Sequence, residues 1–234
     1  MIEDSPAGLA RMFVALARDL EAAKEPTEVL ERIVQSAVTT IDGCEEAGVL
    51  LVNRRANTFE SPAVTGALVT ASDEAQLAFD EGPCLDAARH ERSFLIDDMA
   101  AETRWPRYAP RAVELGVGSM MGFELFAQDH TLGALDLYAH RPGAFDEHAR
   151  EIGWVFASHA AIALAAAQRA HSLRAGYDTR QEIGAAVGVL MERHRLTSDK
   201  AFDMLKETSS RTNVKLREVA AEVVRTGQLP SIGE

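Results

Sequence analysis

A long stretch without helix-breaking residues constrains the fold of this chain more than any other feature. Residues 146–174 contain no proline, and Gly153 is their only glycine. We expect a single long helix here. Its apolar residues recur at alternating spacings of four and three, the pattern of a two-stranded coiled coil. They are Ile152, Phe156, His159, Ala163, Ala166, Ala170 and Leu173. This seam predicts pairing with a second copy of the chain, and the alternative is a helix that packs only on its own domain.

The region before this stretch has the hydrophobic pattern of strands grouped between helices. Two amphipathic helices are predicted at residues 9–20 and 29–41, and another at residues 107–115. Apolar runs predict strands at residues 48–52, 58–64, 93–96, 119–126 and 132–138. A brief helix is expected after the Gly82-Pro83 turn. Strands placed between flanking helices predict an α+β fold with an antiparallel sheet.

Three short amphipathic helices are predicted at the C-terminal end. Each has one apolar stripe: Ile183, Ala186, Val187, Leu190 and Met191, then Ala201, Phe202 and Leu205, then Leu216, Val219, Ala220, Val223 and Val224. Gly176 and Asp178 are expected to break or bend the long helix before them. Thr197 or Ser198 is the candidate N-cap of the second helix and Asn213 that of the third, which Gly227 should end. A small helical bundle is therefore expected.

The charge of the chain is distributed unevenly. Residues 1–168 carry 13 Lys and Arg against 27 Asp and Glu, a net charge of −14, whereas residues 169–234 carry 11 against 9, a net charge of +2. Phosphates are repelled by carboxylates and attracted by basic side chains. The C-terminal part can therefore bind nucleic acid, although its small positive charge does not require it.

Membrane and secreted proteins are not expected from this sequence. The longest unbroken apolar run, at residues 160–167, has 8 residues, against the roughly 20 that a membrane-spanning helix needs. The first residues include Glu3 and Asp4 and no basic group, unlike a secretory signal. Cys44 and Cys84 are the only cysteines and show no disulfide-framework spacing. We expect a cytoplasmic protein.

The C-terminal pattern contains a specific motif. Residues 183–191 read Ile-Gly-Ala-Ala-Val-Gly-Val-Leu-Met, followed by Ala-Phe-x-x-Leu at 201–205 and Thr-Asn-x-x-Leu at 212–216. This combination resembles the ANTAR domain. The resemblance implies a transcription antiterminator that binds paired stem-loops in nascent transcripts, usually as a dimer. Val187 departs from the family, which often has lysine at this position.

Basic residues beside the apolar stripes are the candidate RNA contacts. A long basic side chain can cover the edge of the core while its charge reaches outward, and arginine can both bind phosphate and stack on loop bases. The alternative for each is a solvated charge that pairs with a neighbouring acid such as Glu192, Asp199 or Glu218. The candidates are Arg180, Arg193, Arg195, Lys200, Arg211, Asn213, Lys215 and Arg217.

Three short segments of the first 165 residues carry a second resemblance. They are Gly-Val-Leu-Leu-Val at 48–52, Glu-Gly-Pro-Cys-Leu-Asp at 81–86 and Gly-Ala-Leu-Asp-Leu at 133–137. This part resembles a GAF domain. The resemblance implies a sensory fold with a six-stranded antiparallel sheet and a small-molecule pocket on one face. Candidate pocket residues are Cys84, Phe94, Trp105, Tyr108 and Met120, although apolar residues at such positions more often belong to the core.

Catalytic and metal-binding signals are weak. Cys84 opens a predicted helix, which favours a reactive thiolate, and the alternative is a small buried apolar residue. The 7 histidines show no metal-ligand spacing, so neither a metal nor a cofactor is expected. No Gly-x-Ser-x-Gly elbow occurs, and the glycines of residues 116–122 lead into a strand rather than the helix that a phosphate loop needs. A non-enzymatic protein is favoured.

These observations predict three parts of the chain. They are a GAF-like sensory domain at residues 1–165 that ends in a long helix, a connecting and dimerisation helix at 146–177, and an RNA-binding ANTAR domain at 178–230. The expected function is that of a signal-responsive RNA-binding regulator and antiterminator. The alternatives are a regulator whose helical tail binds DNA or a protein partner, and an enzyme housed in the sensory fold.

Overall fold

The computed structural model of the chain describes residues 6–53, 56, 58–90, 93–127 and 130–230. The chain divides into two compact units, Met1–Arg169 and Ala170–Glu234. Each unit has its own hydrophobic core. No helix in the described ranges is long and apolar enough to cross a membrane.

The first unit is built on an antiparallel sheet. Its strands are β1 (Glu46–Asn53), β2 (Thr58–Val64), β3 (Phe94–Ile96), β4 (Ser119–Ala127) and β5 (His130–Ala139), in the order β2-β1-β5-β4-β3. Every neighbouring pair is antiparallel. The α+β prediction is therefore confirmed. The described residues contribute five strands, whereas the GAF resemblance implied six.

Helices cover both faces of this sheet. On one face α1 (Pro6–Ala22), α2 (Pro26–Thr40) and the start of α6 (Glu147–His194) enclose a core with Met121, Phe123 and Leu135. On the other face lie α3 (Ala67–Phe79), α4 (Pro83–His90) and α5 (Tyr108–Leu115), over Leu50, Met120 and Tyr138. Burial of alternate strand residues on opposite faces produces these two layers.

Helix α3 is absent from the sequence prediction. Its buried residues include Ser72, Asp73 and Gln76 beside Leu68 and Val69. Because polar side chains occupy positions on its inner face, α3 lacks the apolar stripe by which an amphipathic helix is recognised. The same polar face later forms part of a buried cluster.

The predicted break at Gly176 and Asp178 is wrong, because α6 continues without interruption from Glu147 to His194. A glycine in a helix interior costs only about 1 kcal/mol relative to alanine, and residues on both sides favour the helix. The helix ends where Arg195 adopts a positive φ of 54°. The first helix of the predicted C-terminal bundle is therefore the last part of α6.

The second unit is a three-helix core made by the end of α6, α7 (Ser198–Thr212) and α8 (Leu216–Thr226). Most of the predicted stripe residues form its buried cluster: Ala186, Val187, Leu190, Ala201, Leu205, Val219, Ala220 and Val223. Phe202 and Val224 are 36% and 46% exposed instead. These two residues lie at the edges of their stripes, where the small bundle does not cover them.

The predicted helix ends are partly corrected. Thr197 occupies the N-cap position of α7, but its side chain makes no capping hydrogen bond. Asn213 ends α7 in the left-handed conformation, with a φ of 53°, and Lys215 occupies the N-cap position of α8. Asparagine tolerates this conformation better than most residues. Gly227 ends α8 with a φ of 73°, as predicted.

Candidate RNA-binding surface and ligand pocket

The eight predicted RNA-binding residues are all exposed on the second unit. They fall into two groups at opposite ends of α7. Arg193, Arg195 and Lys200 lie at the α6–α7 turn, whereas Arg211, Asn213, Lys215 and Arg217 lie at the α7–α8 turn. The 15 residues of α7 separate these ends by about 22 Å.

Arg180 belongs with the second group. It precedes Arg195 by 15 residues on the same helix, a rise of about 22 Å. After the short turn that follows His194, α7 packs back along the end of α6 through the shared core of Leu190, Ala201 and Leu205. The chain is thus brought back toward the level of Arg180 where α7 ends.

The two groups differ in how many of their charges are already engaged. Arg193 donates from Nη1 to the Gly227 carbonyl and so closes the end of α8. Arg217 Nη2 lies 3.9 Å from Glu218 Oε1, at the limit of an ion pair. Arg211 and Lys215 make no ion pair with any residue that the structure describes, and the same is true of Arg195 and Lys200. Unpaired exposed cations are the groups that remain available to phosphates.

The outer face of α7 is less suited to a polyanion. Lys206 Nζ lies 2.7 Å from Asp203 Oδ1, and Asp199 and Glu207 share this side of the helix. The exposed Phe202 ring lies 5.1 Å from Lys206 Nζ. An exposed aromatic ring can stack on an RNA base. The sequence analysis did not identify Phe202 as a candidate because an aromatic residue within an apolar stripe indicates core.

The first unit has a pocket of about 490 Å³ beside the edge strand β3. It is lined by Pro83, Asp86, Ala87, Ser93, Phe94, Arg104 and Trp105, and its volume is within the range of small-molecule sites. Two predicted ligand residues, Phe94 and Trp105, form its aromatic wall, with ring centroids 6.3 Å apart in edge geometry. A second pocket of about 430 Å³ near Leu51 and His130 contains none of the predicted residues.

Hydrogen bonds fix the polar groups of the Trp105 pocket. Trp105 Nε1 donates to Asp86 Oδ2 at 2.8 Å. The Arg104 guanidinium lies 4.5 Å from the Trp105 ring centroid and donates from Nε and Nη2 to Glu102. This ion pair lowers the pKa of Glu102 and raises that of Arg104. The charge of Arg104 is thus largely balanced, and the Asp86 carboxylate remains in the pocket without a cationic partner.

The other three predicted ligand residues, Cys84, Tyr108 and Met120, are buried in the core behind the pocket. The Tyr108 hydroxyl lies 2.7 Å from Ser72 Oγ and 3.8 Å from Met120 Sδ. Cys84 receives a hydrogen bond from Gln76 Nε2 at 2.9 Å, and its backbone N–H donates to Gln76 Oε1. They do not line the pocket but contribute to a polar cluster beneath it.

Burial determines the chemistry of Cys84. Desolvation of the fully buried thiol raises its pKa well above the ordinary value, and the nearby Asp136 and Asp73 carboxyls raise it further. The expected lowering at a helix N-terminus does not prevail. Cys44 is also buried, and its pKa is raised to about 12. The structure therefore favours the interpretation of Cys84 as a buried structural thiol.

Two buried carboxyls in this cluster were not identified by the sequence analysis. Asp73 on α3 accepts hydrogen bonds from Ser61 Oγ at 2.5 Å and from the Tyr138 hydroxyl at 3.4 Å. Asp136 on β5 is 1% exposed, and its Oδ1 has no hydrogen-bond partner in the described part of the chain. Burial raises the pKa of both carboxyls, that of Asp73 to about 6. A charged residue inside the apolar strand 133–137 was the available sequence signal.

Comparisons with known proteins agree with this architecture. A family model described as the GAF domain matches residues 23–165, and one described as the ANTAR domain matches residues 171–224. No curated protein matches the chain.

Solved structures share the fold of the first unit. The chain is similar to a GAF domain of a phosphoenolpyruvate-protein phosphotransferase from Coxiella burnetii, with 16% identity over 72% of this chain and 99% of that one and a TM-score of 0.56. It is also similar to free methionine-R-sulfoxide reductase from Neisseria meningitidis, in complex with its substrate, with 17% identity over 70% and 92% of the two chains and a TM-score of 0.56. Such low identities show a common fold alone.

Proposed function

Because this chain belongs to the GAF-domain family and carries an ANTAR domain behind its GAF domain, we propose that it is a ligand-responsive transcription antiterminator. The second unit binds stem-loops of a nascent transcript and keeps a terminator hairpin from forming. The first unit controls that binding in response to a small molecule. Both domains are regulatory, which fits a protein without an enzymatic role.

The observation that carries the proposed RNA binding is the set of unpaired cations at the α7–α8 turn. Arg211 and Lys215 are exposed and make no ion pair within the described ranges. Arg180 and Arg217 lie toward the same end of the bundle. Cations that are not already paired release counterions from RNA without first breaking an internal ion pair. We therefore assign the main phosphate contacts to this end.

A matched pair of double variants tests this assignment in the full chain. Arg211→Gln with Lys215→Gln removes two unpaired cations at the α7–α8 turn, and Arg195→Gln with Lys200→Gln removes two at the α6–α7 turn. With a two-hairpin RNA in gel shifts, the first variant should bind about tenfold to a hundredfold more weakly, with a salt dependence shallower by about two phosphate contacts. The second variant should bind nearly as tightly as the unmodified protein.

Other outcomes would contradict the proposal in distinct ways. Equal weakening by both variants would mean that the RNA surface extends along the whole bundle. If duplex DNA of the same length binds as tightly as the hairpin RNA, the alternative of a DNA-binding tail is supported instead. If neither nucleic acid binds, the bundle is a protein-binding module.

We also infer that the chain acts as a homodimer, through a different face of α6 from the predicted seam. Ile152 and Phe156 are 7% and 0% exposed and belong to the core of their own unit, so they are unavailable to a second copy. Val155, Ile162, Leu173 and Tyr177 are 42%, 64%, 75% and 69% exposed. With Ala166 they recur at spacings of seven and four, which suits one helical face. Pairing along this face would bury them.

A further inference from the structure

Asp136 is a buried carboxyl for which the fold makes room but supplies no partner. It lies at the middle of β5, between Gly48 of β1 and Gly122 of β4 in the sheet register. Its Oδ1 is unpartnered among the described residues, and the residue is 1% exposed. A buried polar atom without a partner costs stability, roughly 1–3 kcal/mol and more for a charge. Such a group is a candidate for binding something that the protein itself does not provide.

The surroundings of Asp136 are acidic and rich in hydroxyl groups. Asp73 lies close enough to raise the pKa of Asp136 through its charge. Tyr138 donates to Asp73, and the Cys84 Sγ lies 3.7 Å from the Tyr138 hydroxyl. No lysine, arginine or histidine of the described residues forms an ion pair with either carboxyl. The cluster therefore lacks a cation that would balance two carboxylates.

The Trp105 pocket adjoins this cluster through Phe94. A Cβ added to Gly122 would overlap the Phe94 ring, so the ring covers the strand position next to Asp136 on the same face of the sheet. Phe94 also forms the pocket wall with Trp105. The ring of Phe94 is thus the partition between the pocket and the buried carboxyl, and a change of its rotamer would connect the two.

We propose that the first unit recognises a small organic cation, with a protonated amine or guanidinium group bound by Asp136 and Asp73 and an apolar body held between Phe94 and Trp105. This inference rests on the proposed sensory function and names the chemical class of its signal. An ammonium group has three N–H donors, which suit the acceptors offered by the two carboxyls and the Tyr138 hydroxyl. A cation between the carboxyls would let both ionise without mutual repulsion.

A metal ion fits this cluster less well than an organic cation. The described residues contain no group of three or more His, Cys, Asp and Glu side chains arranged to hold a metal. Tyrosine hydroxyls and the Gln76 amide, which is occupied with Cys84, are hydrogen-bonding groups rather than typical ligands of hard cations. The aromatic pocket wall also has no role in binding a bare ion, whereas it matches a ligand with an apolar body.

The test uses the full chain and a panel of three probes: 2-phenylethylammonium, hexylammonium and hexylguanidinium. Each is compared with its neutral alcohol, 2-phenylethanol or hexanol, by saturation-transfer NMR and thermal shift. At least one cation should bind at pH 7.5 and raise the melting temperature, at least tenfold more tightly than its alcohol. Asp136→Asn should reduce that affinity at least tenfold, while Asp97→Asn, which changes an exposed carboxyl of the same unit, should leave it unchanged.

Two results would overturn the inference. One is the absence of binding by all three cations, even if Asp136→Asn stabilises the protein at pH 7.5, since the carboxyls then take up only protons. The other is unchanged binding in Asp136→Asn. Gel shifts with hairpin RNA on the same preparations separate this inference from the proposed function: intact RNA binding without cation binding refutes only the inference, whereas loss of RNA binding refutes the function itself.

Discussion

Asp73 couples three elements of the first unit through one carboxyl group. It lies on α3, accepts from Ser61 of β2 and Tyr138 of β5, and is 6% exposed. Burial raises its pKa from 3.8 to about 6, although the hydrogen bonds from Ser61 and Tyr138 oppose the rise. The folded protein therefore keeps this carboxyl protonated to a higher pH than the unfolded chain does.

This linkage predicts the pH dependence of stability. A raised carboxyl pKa means that the folded state binds a proton more tightly, so the contribution of Asp73 is fully favourable below about pH 4 and is lost as the pH rises through about 6. Asp73→Asn removes the ionisation while its amide can still accept from Ser61. The variant should exceed the original free energy of unfolding by up to about 3 kcal/mol at pH 7.5 and by little at pH 4.

Urea unfolding at several pH values measures this difference. Asp97→Asn, at an exposed position, serves as the control and should follow the unmodified protein at every pH. An Asp73→Asn variant that is less stable at pH 7.5 would mean that the ionised carboxylate stabilises the fold, contrary to the effect of its burial.

Among the elements, those with a regular apolar pattern were the ones that the sequence could predict. The β2 prediction at residues 58–64 agrees with the structure, and the predicted helix at 107–115 corresponds to α5, Tyr108–Leu115. Helix α3 was missed because its inner face carries Ser72, Asp73 and Gln76. The polar cluster was missed for the same reason, since Asp73 and Asp136 meet only through the tertiary packing of α3 on β5.

The long helix was predicted, but its faces were misassigned. Spacing alone cannot distinguish a stripe that packs on its own sheet from one that meets a second chain, because both need apolar residues at spacings of three and four. Phe156 faces the sheet and is 0% exposed, whereas Ile162 is 64% exposed. Only the burial of each side chain separates the two roles.

The corrected face predicts which substitutions abolish a dimer. Ile162→Asp with Leu173→Asp places two charges on the exposed apolar face of α6, and the repulsion and desolvation should convert the dimer to a monomer in sedimentation at micromolar concentration. His171→Asp with Ala175→Asp adds the same two charges on the opposite side of the helix, at about 160° from Leu173 in helical phase. This control should remain a dimer. A dimer that survives the first pair in a folded protein would place the interface elsewhere.

At the scale of the whole molecule, the two units have opposite electrostatic relations to RNA. Residues 1–168 carry a net charge of −14 and residues 169–234 a net charge of +2. A strongly negative unit repels a polyanion, so the sensory unit is not expected to regulate RNA binding by direct contact. It can act through α6, which begins in the first unit and ends in the core of the second.

This argument predicts a dependence on helical phase. Two hairpins on one RNA gain affinity from a dimer only when both bundles can be engaged at once, and that gain depends on the geometry between them. Insertion of one to four alanines after Arg174 rotates everything beyond by about 100° per residue. Affinity for a two-hairpin RNA should be lowest with two inserted residues and should largely recover with four, which return the helix to within about 40° of its original phase. Affinity for a single hairpin should stay nearly constant in all four variants, because each bundle is unchanged. Gel shifts with both RNAs measure the two series, and equal tolerance of all four insertions by the two-hairpin RNA would show that the units are not coupled through the rotation of α6.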